Sequence, residues 1–261
     1  MRFIQCLMLS FFVGLVGCQQ QSSPNTLTIG TIAGPESDLI RAAKLVAHEK
    51  YDLDIRVVEF SDYNLPNAAL HDGSLDANVY QHLPYLEASI KAHKYLLEPI
   101  GRTFLFPAGL YSKKVKSLKA LPNRARIAIP NDPSNEARAL RLLAEAKLIT
   151  LNNNPTPSVQ DITSNPKNMR IKTLDAAQLP RILPDVDAAV INTTFALPAG
   201  LNPSRDALIS ETKDSPYANL IVIQANTTKR AQLEHFVEAL HSDQVKAKAQ
   251  KLFGDAAIVA W

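Results

Sequence analysis

From Leu27 onward, short runs of β-branched and apolar residues alternate with longer stretches whose apolar residues recur at helical spacing. No other feature narrows the possible folds as much. Residues 27–31 read as a first strand. Pro35-Glu36-Ser37 opens a helix in which Leu39, Ile40, Ala43, Val46 and Ala47 return every three or four positions, and residues 55–60 return as a second strand, completing a βαβ unit. A short helix at 65–70, a strand at 75–80, a helix at 83–92 and an extended segment at 96–106 lead to Pro107. A second series follows, with a strand at 127–129, the helix-start residues Asn131-Asp132-Pro133-Ser134, a helix over 135–146 and a polar, proline-bearing loop at 152–157. Strands at 170–174, 188–192 and 220–224, a helix at 177–183 and amphipathic helices over 229–241 and 244–253 complete the chain. This order predicts an α/β protein in two lobes, with mixed or largely parallel sheets flanked by helices. Residues 27–105 with 216–261 form one lobe and 106–215 the other, joined by crossing segments near Phe106 and Ser215.

Composition removes several function classes. Lys plus Arg number 28 against 25 Asp plus Glu, a balance without the dense basic face that nucleic-acid binding needs. Cys6 and Cys18 are the only cysteines, so no disulfide framework, thiolate zinc site or cysteine nucleophile lies beyond Cys18. The body lacks G-x-S-x-G, H-E-x-x-H and phosphate-loop glycines, and the whole chain has 9 Gly.

Arg2 followed by a mostly apolar stretch over residues 3–16 reads as a secretory signal. Gln5, Ser10 and Gly14 interrupt it, and it falls short of the roughly 20 apolar residues of a membrane span. Leu15-Val16-Gly17-Cys18 resembles the bacterial lipobox, which implies a signal peptide over 1–17, lipidation at Cys18 and a polar tether over 18–26. The expected location is the bacterial cell envelope, with the fold anchored to a membrane by lipid and facing the periplasm or the outer face. An ordinary signal peptide with a chance cysteine at its end is the plainer reading of the same residues.

Ligands of open α/β folds bind beyond the carboxyl ends of strands, so polar and aromatic residues just after strand-like runs are the candidates. Asp76-Ala77-Asn78-Val79-Tyr80-Gln81-His82-Leu83-Pro84-Tyr85 places two tyrosines and a histidine at one strand-to-helix corner, and Phe60-Ser61-Asp62-Tyr63-Asn64 adds a third tyrosine at another. Such rings either hold an apolar or thioether side chain or simply cover the core with their hydroxyls at the surface. Arg138 lies in an early turn of its helix, where the macrodipole disfavours a cation. It either forms a surface ion pair with Glu136 or Asp132 or, with the helix amides, receives a ligand carboxylate. Asn192 and Asn219, each beside a strand, carry a donor and an acceptor suited to a zwitterion and are also common turn residues.

Leu15-Val16-Gly17-Cys18, Asp76-Ala77-Asn78 with Gln81-His82 and Pro84-Tyr85, Tyr111-Ser112-Lys113-Lys114, Asn131-Asp132-Pro133, Asn165-Pro166-Lys167-Asn168, Ala189-Val190-Ile191-Asn192-Thr193-Thr194 and Ser215-Pro216-Tyr217 occur in the order of the NlpA/MetQ family. The chain resembles these methionine-binding lipoproteins of ABC importers from about Leu27 to Trp261. The resemblance implies a type II periplasmic-binding-protein-like fold with the ligand in the cleft between the lobes, and an ABC permease and ATPase complex in the inner membrane as partner. It implies that Arg138 grips the ligand carboxylate, that Asn135, Asn192 and Asn219 order the carboxylate and amino groups, and that Tyr63, Tyr80, His82 and Tyr85 line the side-chain pocket. The sequence departs from the family pattern at Tyr80, commonly Phe, whose hydroxyl is expected to make the pocket more polar, and at Glu136-Ala137, where a smaller pair including Gly often precedes the arginine.

A methionine-binding protein without chemistry or cofactor is the leading reading, and the same groups would seat L-methionine, D-methionine, a related amino acid or a methionine-containing dipeptide. The alternatives are a dehydratase-like enzyme on the same fold using His82, a metal-binding protein built on the evenly spaced His71, His82 and His93, and a structural surface antigen. Even spacing alone does not gather three imidazoles around one ion.

Overall fold

The computed structural model describes residues 25–261. Residues 1–24, with the expected signal segment, Cys18 and most of the tether, lie outside the described residues. The first part of the chain runs β1 (Thr26–Ile32), α1 (Pro35–Tyr51), β2 (Asp54–Phe60), α2 (Pro66–His71), β3 (Ala77–His82), α3 (Leu83–His93) and β4 (Leu97–Leu105). The second continues with β5 (Gly109–Tyr111), β6 (Arg126–Pro130), α4 (Pro133–Glu145), β7 (Thr150–Leu151), β8 (Ile162–Ser164), β9 (Arg170–Leu174), α5 (Leu179–Ile182), β10 (Ala188–Ile191), α6 (Thr193–Ala196), α7 (Pro203–Asp206) and β11 (Ile209–Ser210). β12 (Ala218–Gln224), α8 (Arg230–Leu240), α9 (Asp243–Phe253) and β13 (Ile258–Val259) end it.

The strands form two main sheets. The six-stranded sheet has the order β13-β4-β12-β3-β1-β2, and the five-stranded sheet β11-β5-β10-β6-β9. The chain leaves the larger sheet after β4 and returns with β12, which inserts between β4 and β3. The expected two-lobed α/β architecture is thus present. Of the mixed or largely parallel sheets expected, the mixed form is found: β12 runs antiparallel to both β3 and β4, and β5 antiparallel to β10 and β11. An antiparallel return needs no crossover helix, and the sequence pattern of a buried strand carries no sign of its direction.

Helices cover both faces of each sheet, which is why β10 and the middle of β12 read as unbroken apolar runs. α1, α8 and α9 close one face of the larger sheet around Leu27, Ile29, Ile40, Phe104, Ile221 and Phe236. α2 and α3 close the other around Leu70, Leu86 and Val222. Two further clusters, one around Leu110, Ile127, Leu140 and Val190 and one around Leu179, Ala189 and Ile191, sandwich the smaller sheet. Each fully buried Val, Leu, Ile or Phe side chain among these contributes about 1.5–3 kcal/mol relative to exposure.

Local signals set the helix starts nearest the cleft. Pro133 is the first residue of α4 and Asp132 is its cap, accepting the Asn135 N–H at 2.9 Å, so the helix begins two residues before the expected start. α1 starts at Pro35 after Gly34, whose φ of 120° lies in the region that favours glycine.

Candidate functional site

Every candidate side chain within the fold reaches one cavity between the lobes. Tyr63, Tyr80, His82, Tyr85, Asn135, Arg138, Asn192 and Asn219 line it, together with Gln81, Phe106, Thr193 and Thr194. The space free of protein atoms is about 330 Å³ including its opening to solvent, within the roughly 300–1,000 Å³ of small-molecule sites. Topology explains the gathering. Tyr63, His82, Asp132 and Asn192 sit at the carboxyl ends of β2, β3, β6 and β10. β12 runs the other way, so it brings its amino end to the same edge and pairs Asn219 with His82. Asn219 therefore lies inside a strand, not before one as the sequence suggested.

Arg138 is 4% exposed and is held by both segments that connect the lobes. Its Nε donates to Glu211 Oε1 at 2.8 Å, and its Nη2 to Glu211 Oε2 at 2.5 Å and to the Phe106 carbonyl at 2.9 Å. Glu211 also accepts the Ala108 N–H at 2.9 Å, and the Tyr217 ring stacks under the guanidinium at 4.5 Å. This corrects the expected surface pair with Glu136 or Asp132. Glu136 accepts the Val159 N–H instead, Asp132 caps α4, and the counter-ion comes from 73 residues further along the chain. Burial pushes the guanidinium pKa down, but Glu211 more than offsets it and holds Arg138 above its ordinary value. Nη1 makes no hydrogen bond among the described residues, so its two N–H groups are the uncommitted donors of a fixed cation.

The amides are oriented by their neighbours. Asn135 gives its Nδ2 to both Asp132 oxygens at 3.1 and 3.0 Å, and its Oδ1 receives Asn192 Nδ2 at 2.8 Å and the His82 Nε2–H at 3.2 Å. Asn135 is therefore committed within the protein, to Asp132, Asn192 and His82. Asn192 keeps its Oδ1 for the cavity. Asn219 points its Nδ2 at Glu36 Oε2 at 3.5 Å and likewise keeps Oδ1 open. His82 Nδ1 accepts the Tyr85 N–H at 3.3 Å, which leaves the proton on Nε2. Burial first, and then Arg138, push the His82 pKa down to about 3, so the ring is neutral.

The aromatic wall is largely buried and held by hydrogen bonds. Tyr63 and Tyr80 are 9% and 3% exposed, and the hydroxyls of Tyr80 and Tyr85 both donate to the Tyr63 carbonyl, at 3.3 and 2.8 Å. The reading in which the tyrosine hydroxyls point to the surface is corrected for these two. The extra hydroxyl of Tyr80, expected to add polarity to the pocket, donates its hydrogen to the backbone instead. Phe195 from the opposite lobe packs on Tyr63 with centroids 4.9 Å apart.

His71 and His93 pack on Tyr95, with centroids 4.8 and 5.0 Å apart, while His82 lies in the cleft. Tyr111-Ser112-Lys113-Lys114 and Asn165-Pro166-Lys167-Asn168 form turns, in which Ser112 accepts the Lys114 N–H and Asn165 the Met169 N–H. Sequence reasoning missed Phe106, Thr193, Thr194, Glu211 and Glu36. Thr193 and Thr194 directly follow Asn192 and were within reach of the same rule.

Residues 27–261 match the family model of the NlpA lipoproteins. The chain belongs to that family. Among its relatives, the D-methionine-binding lipoprotein MetQ of Escherichia coli (strain K12) is 44% identical over 254 residues, spanning 95% of this chain and 94% of that protein. Two solved structures share the fold. A periplasmic substrate-binding protein of an ABC transporter from Coxiella burnetii is 53% identical, with a TM-score of 0.88 over 90% of this chain and 100% of its own. A nutrient-binding protein from Burkholderia cenocepacia bound to methionine is 46% identical, with a TM-score of 0.88 over the same shares. The NlpA fold here is thus the two-lobed one of periplasmic substrate-binding proteins.

Proposed function

We propose that this chain is the substrate-binding lipoprotein of an ABC importer, capturing methionine in the cleft and passing it to a membrane permease and its ATPase. One observation carries the reading: a guanidinium nitrogen of Arg138 and the amide oxygens of Asn192 and Asn219 are among the uncommitted polar atoms of one cavity whose other wall is Tyr63, Tyr80 and Tyr85. A cationic donor and two neutral acceptors match the two ends of an α-amino acid, and the rings match a thioether tail, each sulfur–aromatic contact worth about 0.3–1.5 kcal/mol. The methionine named for the relatives fits this chemistry. A ligand of about nine heavy atoms reaches micromolar affinity well within the ligand-efficiency ceiling.

Residues 27–105 with 216–261 and residues 106–215 act as the two halves of a hinge, and a ligand that touches both favours closure. Asn64 donating to Asp175 at 3.2 Å and His82 to Asn135 at 3.2 Å support contact between the halves when closed. Cys18 carries the lipid that holds the protein at the envelope, with the cleft on the periplasmic or outer side. No helix among the described residues is long and apolar enough to cross a membrane. The protein binds without chemistry: a His82 whose conjugate acid has a pKa of about 3 is too weak a base for dehydration.

Ligand-stripped protein titrated with L-methionine tests the proposal. Stoichiometric binding with a rise in melting temperature and unaltered methionine recovered by mass spectrometry is the expected result. Absence of binding, or a converted ligand, would overturn it.

A further inference from the structure

Behind the amide oxygens of the cleft lies a carboxylate with no cation beside it. Glu36, in the first turn of α1, is 6% exposed and forms no ion pair among the described residues. Its partners both line the ligand cavity. Thr194 Oγ1, from the other lobe, donates to Oε1 at 2.5 Å, and Asn219 Nδ2 donates to Oε2 at 3.5 Å. An ionised carboxylate has only acceptors, so it holds Asn219 with its NH₂ toward α1 and its oxygen toward the cavity. A protonated one has an O–H to give and favours the reversed amide, which turns a donor toward the ligand.

We propose that Glu36 is the positioning residue of the ammonium subsite. It acts through Asn219 and Thr194 without touching the ligand, gives up its proton when an ammonium enters, and restricts the cleft to ligands with a free α-amino group. The assignment rests on the methionine-type reading above and adds the group that sets the polarity of one end. The carboxyl proton passes to solvent and the incoming ammonium takes its place as the balancing charge.

Burial pushes the Glu36 pKa up to about 7, with the Thr194 hydroxyl opposing, so a modest field from the ligand suffices to ionise it. Among the described residues, the titratable group facing it is the Tyr63 phenol, which burial and Glu36 hold well above its ordinary value and hence neutral. On its own helix, Asp38 pairs with Arg41, and Arg41 with Glu59, at the surface. β3, β4, β12 and α8 offer Val79, Thr103, Phe104, Asn219 and Leu240, none of them charged, around a second space of about 250 Å³ beside the carboxylate.

Calorimetry of the wild type with L-methionine, in phosphate and in Tris at pH 7, counts the protons. We expect release of roughly half a proton per ligand, and affinity that rises about tenfold between pH 5.5 and pH 8. N-acetylmethionine is expected to release none. Glu36→Gln is expected to bind methionine at least tenfold more weakly at pH 8, with no proton release and no pH dependence. A wild type that binds methionine without releasing protons at pH 7 would overturn the assignment, and needs no variant to fold. So would a folded Glu36→Gln with affinity within twofold of the wild type. Failure of the wild type to bind methionine would instead remove the proposed function and this assignment together.

Discussion

Arg138 and Glu36 are buried to nearly the same degree, 4% and 6% exposed, yet their surroundings are opposite. Arg138 meets Glu211 edge to edge, rests on Tyr217 and touches both connections between the lobes. Glu36 has a hydroxyl and an amide and, among the described residues, no cation. The difference shows two ways to keep a charge out of water. A paired charge is permanent and can anchor a ligand at any pH, because its desolvation is offset before the ligand arrives. An unpaired one is charged only when something else brings the opposite sign.

The comparison breaks most visibly if the pair is broken. Glu211→Ala leaves a buried guanidinium alone and is expected to lower stability by about 3–5 kcal/mol in a urea melt. Arg138→Ala is expected to weaken methionine binding at least tenfold by calorimetry, the value of a charge-assisted hydrogen bond of about 1.5–3 kcal/mol. Unchanged affinity would remove Arg138 from the site.

Glu36 is expected to respond with the opposite sign. Its folded pKa of about 7 lies above the ordinary 4.5, so the folded state binds its proton more tightly than the unfolded state. Ligand-free stability from this group is therefore fully present below about pH 4.5, falls as pH rises towards 7, and is level above. The loss is roughly 3 kcal/mol. Urea melts of Glu36→Gln should lack that decline, making the variant the more stable form at pH 8.

Smaller changes sharpen the picture. Asn219→Ala removes one open amide oxygen and should cost about tenfold in methionine affinity by calorimetry. Tyr80→Phe deletes a hydroxyl whose acceptor, the Tyr63 carbonyl, still has Tyr85, so a thermal melt should show less than about 1 kcal/mol lost.

The strand-to-helix corners were legible because they depend on local signals. Apolar runs end where Tyr63, His82 and Asn192 begin, and Asp132-Pro133 announces α4. The partners of those residues were not legible. Glu211 is 73 residues from Arg138, and no spacing rule connects them. Glu36 looks like any acidic residue in a first helical turn until the fold buries it against Thr194, 158 residues away. β5, β11 and β13, of two or three residues, are too short to show a period. The antiparallel entry of β12, which carries Asn219 into the site, follows from the chain's path between the lobes and not from any residue in the strand.

The central claim is that one cleft recognises both ends of a zwitterion. Calorimetric titration of the same protein sample with methionine, N-acetylmethionine and methioninamide isolates the two ends. We predict micromolar or tighter binding of methionine and at least tenfold weaker binding of each analogue. Equal affinity for all three would contradict the assignment of Arg138 to the carboxylate and of Asn192 and Asn219 to the ammonium.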